Sequence, residues 1–241
     1  MTTQQVSRKL TVAEIARMCD HSLLRPTLTE NEFIEGIDLA TRYKTYTVMV
    51  APYDVPKAAR LLEGSDVQVS TVVDFPHGSN LTESKCFEAI RAIENGAKHL
   101  DMVLAISRLV SGAYDYVFED IHSVVETGHE HGIPVKVIFE TCYLTPEMIA
   151  KGCQLCDKAG ADYVKTSTGY GPGGATLDDV RLMRANCGPK VLVKASGGIR
   201  TLDQVLAYRA AGAAMIGTRA TAAILDEAVQ REAAGILQEF G

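Results

Sequence analysis

In Ala161-Asp162-Tyr163-Val164-Lys165-Thr166-Ser167-Thr168-Gly169, a lysine stands at the end of a short apolar run, and hydroxyl residues and a glycine come directly after it. The same order recurs 29 residues later in Val191-Leu192-Val193-Lys194-Ala195-Ser196-Gly197-Gly198. Both runs are typical of a buried parallel strand that ends in a flexible loop. A strand-end lysine can act as an amine nucleophile if its pKa is lowered, or it can be a charge that reaches solvent. The repeated arrangement favours a functional role.

Outward from these two runs, short apolar segments alternate with helical patterns along the whole chain. The predicted strands begin near Asp20, Thr45, Val67, His99, Pro134, Tyr163, Val191 and Ala213. Eight strand–helix units in 241 residues predict an α/β fold, a TIM (β/α)8 barrel with an extra N-terminal helix, in a single domain over residues 1–241. A doubly wound open sheet is the alternative.

Capping patterns mark where the predicted helices begin. Side chains that suit a helix N-terminus stand at Thr11, Thr29, Asn80, Thr145, Thr176 and Thr201. The chain is expected to close with a helix from Ala222 to Glu239.

Composition limits the classes of partner. The net charge is −6 and the pI about 5.5, which disfavours binding to a nucleic-acid phosphate backbone. No apolar run is long enough to span a membrane, and residues 1–10 lack the apolar region of a signal peptide, so a cytoplasmic protein is expected. Reduced thiols are therefore the default for the six cysteines. Cys153 and Cys156 lie within a helical pattern, and packing is a better interpretation than metal binding.

Charged residues collect at the predicted carboxyl ends of the strands, where barrels build their active sites. Repulsion between the ammonium groups of Lys165 and Lys194 would let one of them lose its proton. The neutral amine could then form a Schiff base with an aldehyde or ketone. Asp101 is the best placed carboxylate to shuttle protons, although it could instead only hold a lysine in place. Lys136 is interpreted as a charge partner inside the barrel.

Two glycine-containing loops predict an anion site. Ser196-Gly197-Gly198-Ile199-Arg200 precedes a capped helix, and Gly217-Thr218-Arg219 follows the eighth strand. Phosphate often binds after strands 7 and 8 of such barrels. A third segment, Gly171-Pro172-Gly173-Gly174, lacks the ending of a nucleotide-binding loop and is interpreted as a flexible lid.

Several of these stretches, taken in order over nearly the whole chain, resemble the deoxyribose-phosphate aldolase family. They are Asp20-His21-Ser22-Leu23-Leu24, Asp101-Met102-Val103, Lys136 to Cys142, Val164 to Gly169, Gly173 to Thr176 and Val193 to Arg200. The resemblance implies a class I aldolase on a TIM barrel that needs no metal or other cofactor. It also implies the reversible cleavage of 2-deoxy-D-ribose 5-phosphate to acetaldehyde and D-glyceraldehyde 3-phosphate.

Site residues follow from the resemblance and from the two loops. By resemblance Lys165 forms the Schiff base, Lys194 lowers its pKa, Asp101 takes part in proton transfer and Asp20 assists through the same polar network. The residues expected to bind substrate or phosphate are Thr168, Gly169, Gly197, Gly198, Arg200, Gly217 and Arg219. The expected partners are small aldehydes and sugar phosphates, with neither a nucleic acid nor a membrane, and a homo-oligomer, a dimer, is expected by base rate.

The sequence departs from the usual family pattern around the predicted acceptor end of the pocket. The departures are Arg219-Ala220 in place of two serines, Met49 in place of a cysteine, Ala51 and Ala105 in place of asparagines, and Tyr170 in place of phenylalanine or lysine. Two alternatives therefore stay open. One is the same imine chemistry on another sugar phosphate or an acidic aldehyde, and the other is a non-catalytic barrel that binds a phosphorylated ligand.

Overall fold

A closed barrel of eight parallel strands, in sequential order, forms the centre of the molecule. The computed structural model describes residues 8–239. The strands are Cys19–Leu23 (β1), Thr47–Val50 (β2), Gln68–Val73 (β3), His99–Val103 (β4), Val135–Ile138 (β5), Tyr163–Lys165 (β6), Leu192–Ser196 (β7) and Ala213–Thr218 (β8). The predicted (β/α)8 barrel is thus confirmed over the described residues, and the open sheet is excluded because β1 pairs with β8.

Helices cover the outside of the barrel. They are Val12–Ala16 (α1), Glu30–Tyr43 (α2), Val55–Leu61 (α3), Thr82–Glu94 (α4), Ile106–Val110 (α5), Tyr114–Glu130 (α6), Pro146–Ala159 (α7), Leu177–Asn186 (α8), Leu202–Ala210 (α9) and Thr221–Ala233 (α10). The expected extra N-terminal helix is α1, which packs against α10. Within residues 8–239, each helix is too short or too polar to cross a bilayer.

Most predicted helix starts are confirmed by side-chain hydrogen bonds. The threonine hydroxyl accepts from a backbone N–H at Thr11, Thr29, Thr145, Thr176 and Thr201. The expectation for Asn80 is wrong. Its side chain donates instead to Oδ1 of Asp74 at 3.0 Å, and its backbone N–H donates to Oδ2 at 2.9 Å. The helix begins two residues later, at Thr82, because a tertiary partner takes the capping group.

The C-terminal helix is shorter than expected, and one helix was not expected. α10 ends at Ala233 rather than Glu239. Gly235 takes a φ of 71°, a left-handed conformation that favours glycine, and Gln238 then pairs with Lys9. The segment that precedes α6 contains the additional helix α5, which the sequence pattern did not indicate.

Strand register determines which side chains share the barrel interior. Lys165 on β6 lies beside Lys194 on β7, and Asp101 on β4 lies beside Lys136 on β5. Because side chains alternate between the two faces of a strand, residues in register point to the same side. The apolar residues of the opposite face pack against the helices in one continuous core. The polar faces of four neighbouring strands are thereby brought together inside the barrel.

Candidate active site

The two strand-end lysines meet at a single carboxylate oxygen. Nζ of Lys165 donates to Oδ2 of Asp101 at 2.7 Å, and Nζ of Lys194 donates to the same oxygen at 2.6 Å. The Asp101 and Lys194 side chains are completely buried, whereas Lys165 keeps a small exposed fraction of 4%. Of the two amines, only that of Lys165 therefore has a route to a ligand in the mouth.

Two further charged residues complete the cluster. Nζ of Lys136 lies 2.8 Å from Oδ1 of Asp101, so the interpretation of Lys136 as an interior charge partner is confirmed. Asp20 on β1 accepts from Lys194 and, at 2.6 Å, from the hydroxyl of Thr47. Asp101 thus contacts three lysine amines, whereas Lys194 contacts two carboxylates.

Burial and neighbouring charges separate the pKa values of the two lysines. Burial lowers the pKa of Lys165 to about 8; the carboxylate of Asp101 opposes this shift and the charge of Lys194 reinforces it. Burial would also lower the pKa of Lys194, but Asp101 and Asp20 together outweigh it and raise that pKa. Lys165 is therefore the amine that can lose its proton near neutral pH.

The main cause of the lowered pKa of Lys165 is not the one expected from the sequence. Repulsion between the two ammonium groups contributes, but loss of hydration around Lys165 is the larger effect. The pKa of Asp101 lies well below its ordinary value because Lys136, Lys165 and Lys194 together outweigh its burial. Asp101 is consequently a carboxylate that accepts protons only transiently.

A cavity of about 430 Å³ opens above this cluster at the carboxyl ends of the strands. Asp20 and Lys165 line its floor, whereas Asp101 and Lys194 lie beneath them. The cavity wall includes every residue that was predicted to bind substrate or phosphate, namely Thr168, Gly169, Gly197, Gly198, Arg200, Gly217 and Arg219. Met49, one of the departures from the family pattern, also lines it.

One end of the cavity has the features of an anion site. Gly198 has a φ of 82°, which turns the backbone after β7 in a way that glycine permits best. Among residues 8–239, no group accepts a hydrogen bond from the backbone N–H of Gly198 or of Arg219. Unpaired N–H groups beside the cationic side chains of Arg200 and Arg219 suit a phosphate or a carboxylate.

Glu140 has a role that the sequence did not reveal. It follows β5 with a φ of 55°, and only 2% of its surface is exposed. Its carboxylate accepts from the hydroxyl of Thr168 and, at 3.3 Å, from the Thr168 backbone N–H. Glu140 thereby holds the loop after Lys165. Its position at a strand end was the available signal, but nothing in the sequence identified its partner.

Tyr170 joins three loops across the mouth. Its hydroxyl donates to the carbonyl of Leu24 at 2.5 Å, after β1, and its ring meets that of Phe75, after β3, edge-on at 5.4 Å between centroids. The neighbouring segment Gly171-Pro172-Gly173-Gly174 was interpreted as a flexible lid, and that interpretation stays a prediction. The contacts place Tyr170 at the rim of the cavity.

The arrangement of histidine, cysteine and acidic side chains in the described residues does not suit a metal ion. No cluster of three or more histidine, cysteine, aspartate or glutamate side chains in residues 8–239 could hold a metal ion. Cys153 and Cys156 are buried in α7 as packing residues, as expected. The chemistry that the cavity offers is that of a partly deprotonated amine beside a carboxylate.

Comparison with known proteins shows the family to which the chain belongs. Residues 15–225 match the profile of the DeoC/LacD family aldolases. The deoxyribose-phosphate aldolase of Thermococcus gammatolerans is 50% identical over 221 residues, covering 91% of this chain and 98% of that protein. That of Rhodopirellula baltica is 47% identical over 215 residues, covering 89% of both.

Solved structures extend the similarity to the fold. A tetrameric deoxyribose-phosphate aldolase from Aeropyrum pernix superimposes with a TM-score of 0.84 at 30% identity, covering 90% of this chain and 92% of that one. An aldolase designated QR15 superimposes with a TM-score of 0.86 at 37% identity, covering 92% and 98%. With the barrel, the buried lysine pair and the matching profile all in agreement, this chain belongs to the DeoC/LacD family of aldolases.

Proposed function

We propose that this protein is a Schiff-base aldolase that cleaves 2-deoxy-D-ribose 5-phosphate to acetaldehyde and D-glyceraldehyde 3-phosphate, and that it also runs the reverse reaction. The observation that carries the proposal is the contact of Lys165 and Lys194 with one oxygen of Asp101 beneath a cavity with an anion-binding end. The similarity to deoxyribose-phosphate aldolases over most of both chains supports the choice of substrate.

In the cleavage direction, neutral Nζ of Lys165 attacks the aldehyde carbon of the open-chain sugar, and loss of water gives an iminium ion. The bond between the second and third sugar carbons then breaks as the third-carbon hydroxyl gives up its proton. The electron pair of that bond moves to the iminium and forms an enamine, while D-glyceraldehyde 3-phosphate leaves. Protonation of the enamine and hydrolysis by water release acetaldehyde and restore Lys165.

The buried charges assist this sequence in distinct ways. Lys194 stays protonated and adds to the lowering of the pKa of Lys165. Asp101, which contacts both amines, is the carboxylate positioned to receive and return the proton, directly or through a water. Asp20 holds Lys194 from the other side and keeps its charge in place.

The phosphate is proposed to lie at the far end of the cavity. The backbone N–H groups of Gly198 and Arg219 and the side chains of Arg200 and Arg219 are its donors. Gly197 and Gly217 also line the wall, where an added Cβ would come within 2.9 Å of Gly174 and of Ser196, respectively, so glycine allows the close packing of the wall there. Thr168 and Gly169 line the path toward Lys165.

Reductive trapping tests the proposal directly. Incubation of the protein with acetaldehyde and borohydride is expected to add one ethyl group, which peptide mass mapping should place on Lys165. A matched incubation without aldehyde controls for background modification. An unmodified protein, or an adduct that maps to Lys194, would contradict the assignment.

We further propose that the chain acts as a single domain, as a cytoplasmic homo-oligomer. The barrel uses residues throughout 8–239. Residues 1–7 and 240–241 of the expected domain lie outside the described part, and residues 1–7 make up most of the segment in which a signal peptide was sought. The six cysteines are all unpaired, which fits a reducing compartment.

The expected dimer remains a prediction, since the Aeropyrum pernix relative is tetrameric. Light scattering that gives a monomer would contradict self-association.

A further inference from the structure

Three hydroxyl groups of the cavity wall, those of Thr168, Ser196 and Thr218, are already engaged by the protein. Thr218 donates to the carbonyl of Ile199 at 2.7 Å, and Ser196 donates to the carbonyl of Ser167 at 2.5 Å. The hydroxyl of Thr168 is likewise committed to a carboxylate. An anionic ligand beside these three residues is therefore expected to bind mainly to backbone N–H groups and guanidinium groups.

The three arginines of the cavity wall are not equivalent. Arg25 is paired with Glu32 at 2.6 Å. Within residues 8–239, no carboxylate lies within 4.0 Å of the guanidinium of Arg200 or of Arg219. These two cations are thus free to bind a ligand.

Arg219 is the better placed of the two. It follows β8 directly, beside the unpaired N–H groups of the anion site. Arg219 and Tyr170 both line the cavity wall, and the positive charge of Arg219 opposes the rise that burial gives to the pKa of the Tyr170 phenol. Its position directly after β8 places Arg219 at the predicted phosphate end of the cavity.

A guanidinium changes the class of anion that a site can recognise. Its planar pair of N–H groups matches the two oxygens of a carboxylate as well as two oxygens of a phosphate. A hydroxyl group such as that of Thr218, by contrast, offers a single donor without that planar match or a positive charge.

We propose that Arg219 makes the acceptor end of this cavity a carboxylate site as well as a phosphate site, so that the enzyme joins acetaldehyde to aldehydes with a terminal carboxylate. This inference rests on the proposed function. The enamine carbon on Lys165 bonds to the aldehyde carbon of the acceptor, whose oxygen takes up a proton. Water then hydrolyses the iminium, which frees Lys165 and releases a hydroxyaldehyde that carries the carboxylate.

The test compares two acceptors of equal length that differ in charge. In 5-oxopentanoate, the carboxylate carbon is as many bonds from the aldehyde as the phosphorus is in glyceraldehyde 3-phosphate, and pentanal is its uncharged counterpart. With acetaldehyde as donor, kcat/KM is expected to be about 10–100-fold higher for 5-oxopentanoate than for pentanal, the range of a charge-assisted pair of hydrogen bonds.

Variants at the same position identify the origin of the preference. Arg219→Ala should raise the KM for 5-oxopentanoate until the preference over pentanal disappears. Arg219→Lys keeps the charge without the planar fork and should retain only part of it. Arg60→Ala removes an exposed arginine from α3 with the same change in net charge, and should keep the wild-type preference.

Borohydride trapping with acetaldehyde separates failure of this inference from failure of the proposed function. Wild-type protein that is trapped on Lys165 but does not prefer 5-oxopentanoate would overturn the role of Arg219 alone. A preference that survives in Arg219→Ala would overturn it as well. Absence of any trapped adduct would overturn the proposed function and this inference together.

Discussion

Replacing Lys165 with methionine is expected to abolish aldol cleavage, with kcat lowered by roughly 10⁴-fold or more, as found when a covalent nucleophile is removed. Methionine keeps most of the volume of the lysine side chain, so the cavity floor should stay packed. Asp101 keeps Lys136 and Lys194 as partners and is not left with an uncompensated charge. The loss should therefore reflect chemistry rather than folding.

Two measurements check this result. Release of acetaldehyde from 2-deoxy-D-ribose 5-phosphate gives the rate, and borohydride trapping gives the site of modification. Lys98→Met is the matched control, because Lys98 is exposed and lies just before β4, at the opposite end of the barrel. Substantial turnover in Lys165→Met, or its continued trapping at a second lysine, would show that another amine forms the imine.

Replacing Lys194 with methionine is expected to give the second largest effect and to change the pH profile. In the wild type, the neutral fraction of Lys165 falls about tenfold for each pH unit below its pKa, which lies at about 8. Activity should thus rise with pH up to that value and then level off. Removing Lys194 takes away a positive charge that lowers the pKa of Lys165. It also leaves the negative charge of Asp101, which raises the pKa of Lys165, less compensated.

Both consequences raise the pKa of Lys165, so the rising limb should move to higher pH. A rise of about two units would lower activity at pH 7 by roughly 10²-fold, and the deficit should shrink at pH 9 to 10. The pH dependence of kcat/KM measures this shift, with Lys98→Met again as the control. An equal loss of activity at every pH would indicate that Lys194 acts only by shaping the site.

The arrangement of charges explains why both predictions depend on the same oxygen of Asp101. Two amines bind it, but only Lys165 reaches the cavity, and only Lys194 is also held by Asp20. The second carboxylate raises the pKa of Lys194, and Lys165, without one, keeps the lower pKa that burial imposes. The site thereby distinguishes the proposed nucleophile, Lys165, from a lysine that keeps its charge, Lys194, although the two side chains are chemically identical.

Much of the fold was predictable because it depends on local interactions. Short apolar runs marked the strands, and threonine caps marked five helix starts, since both signals act within a few residues. The failures have a tertiary cause. Asn80 bonds to Asp74 instead of capping a helix, and the segment after Ala233 turns away to pair Gln238 with Lys9.

The sequence by itself determined the barrel and the candidates for the reactive side chains, because strand ends of a parallel barrel must meet at one mouth. Only the tertiary structure decided which groups touch. Asp101 lies 64 residues from Lys165 and 93 from Lys194, and Asp20 lies 174 residues from Lys194. Closure of the barrel and its register bring them into contact. The burial that accompanies that closure, which no local pattern encodes, lowers the pKa of Lys165, and the proposed role of Lys165 as nucleophile depends on that shift.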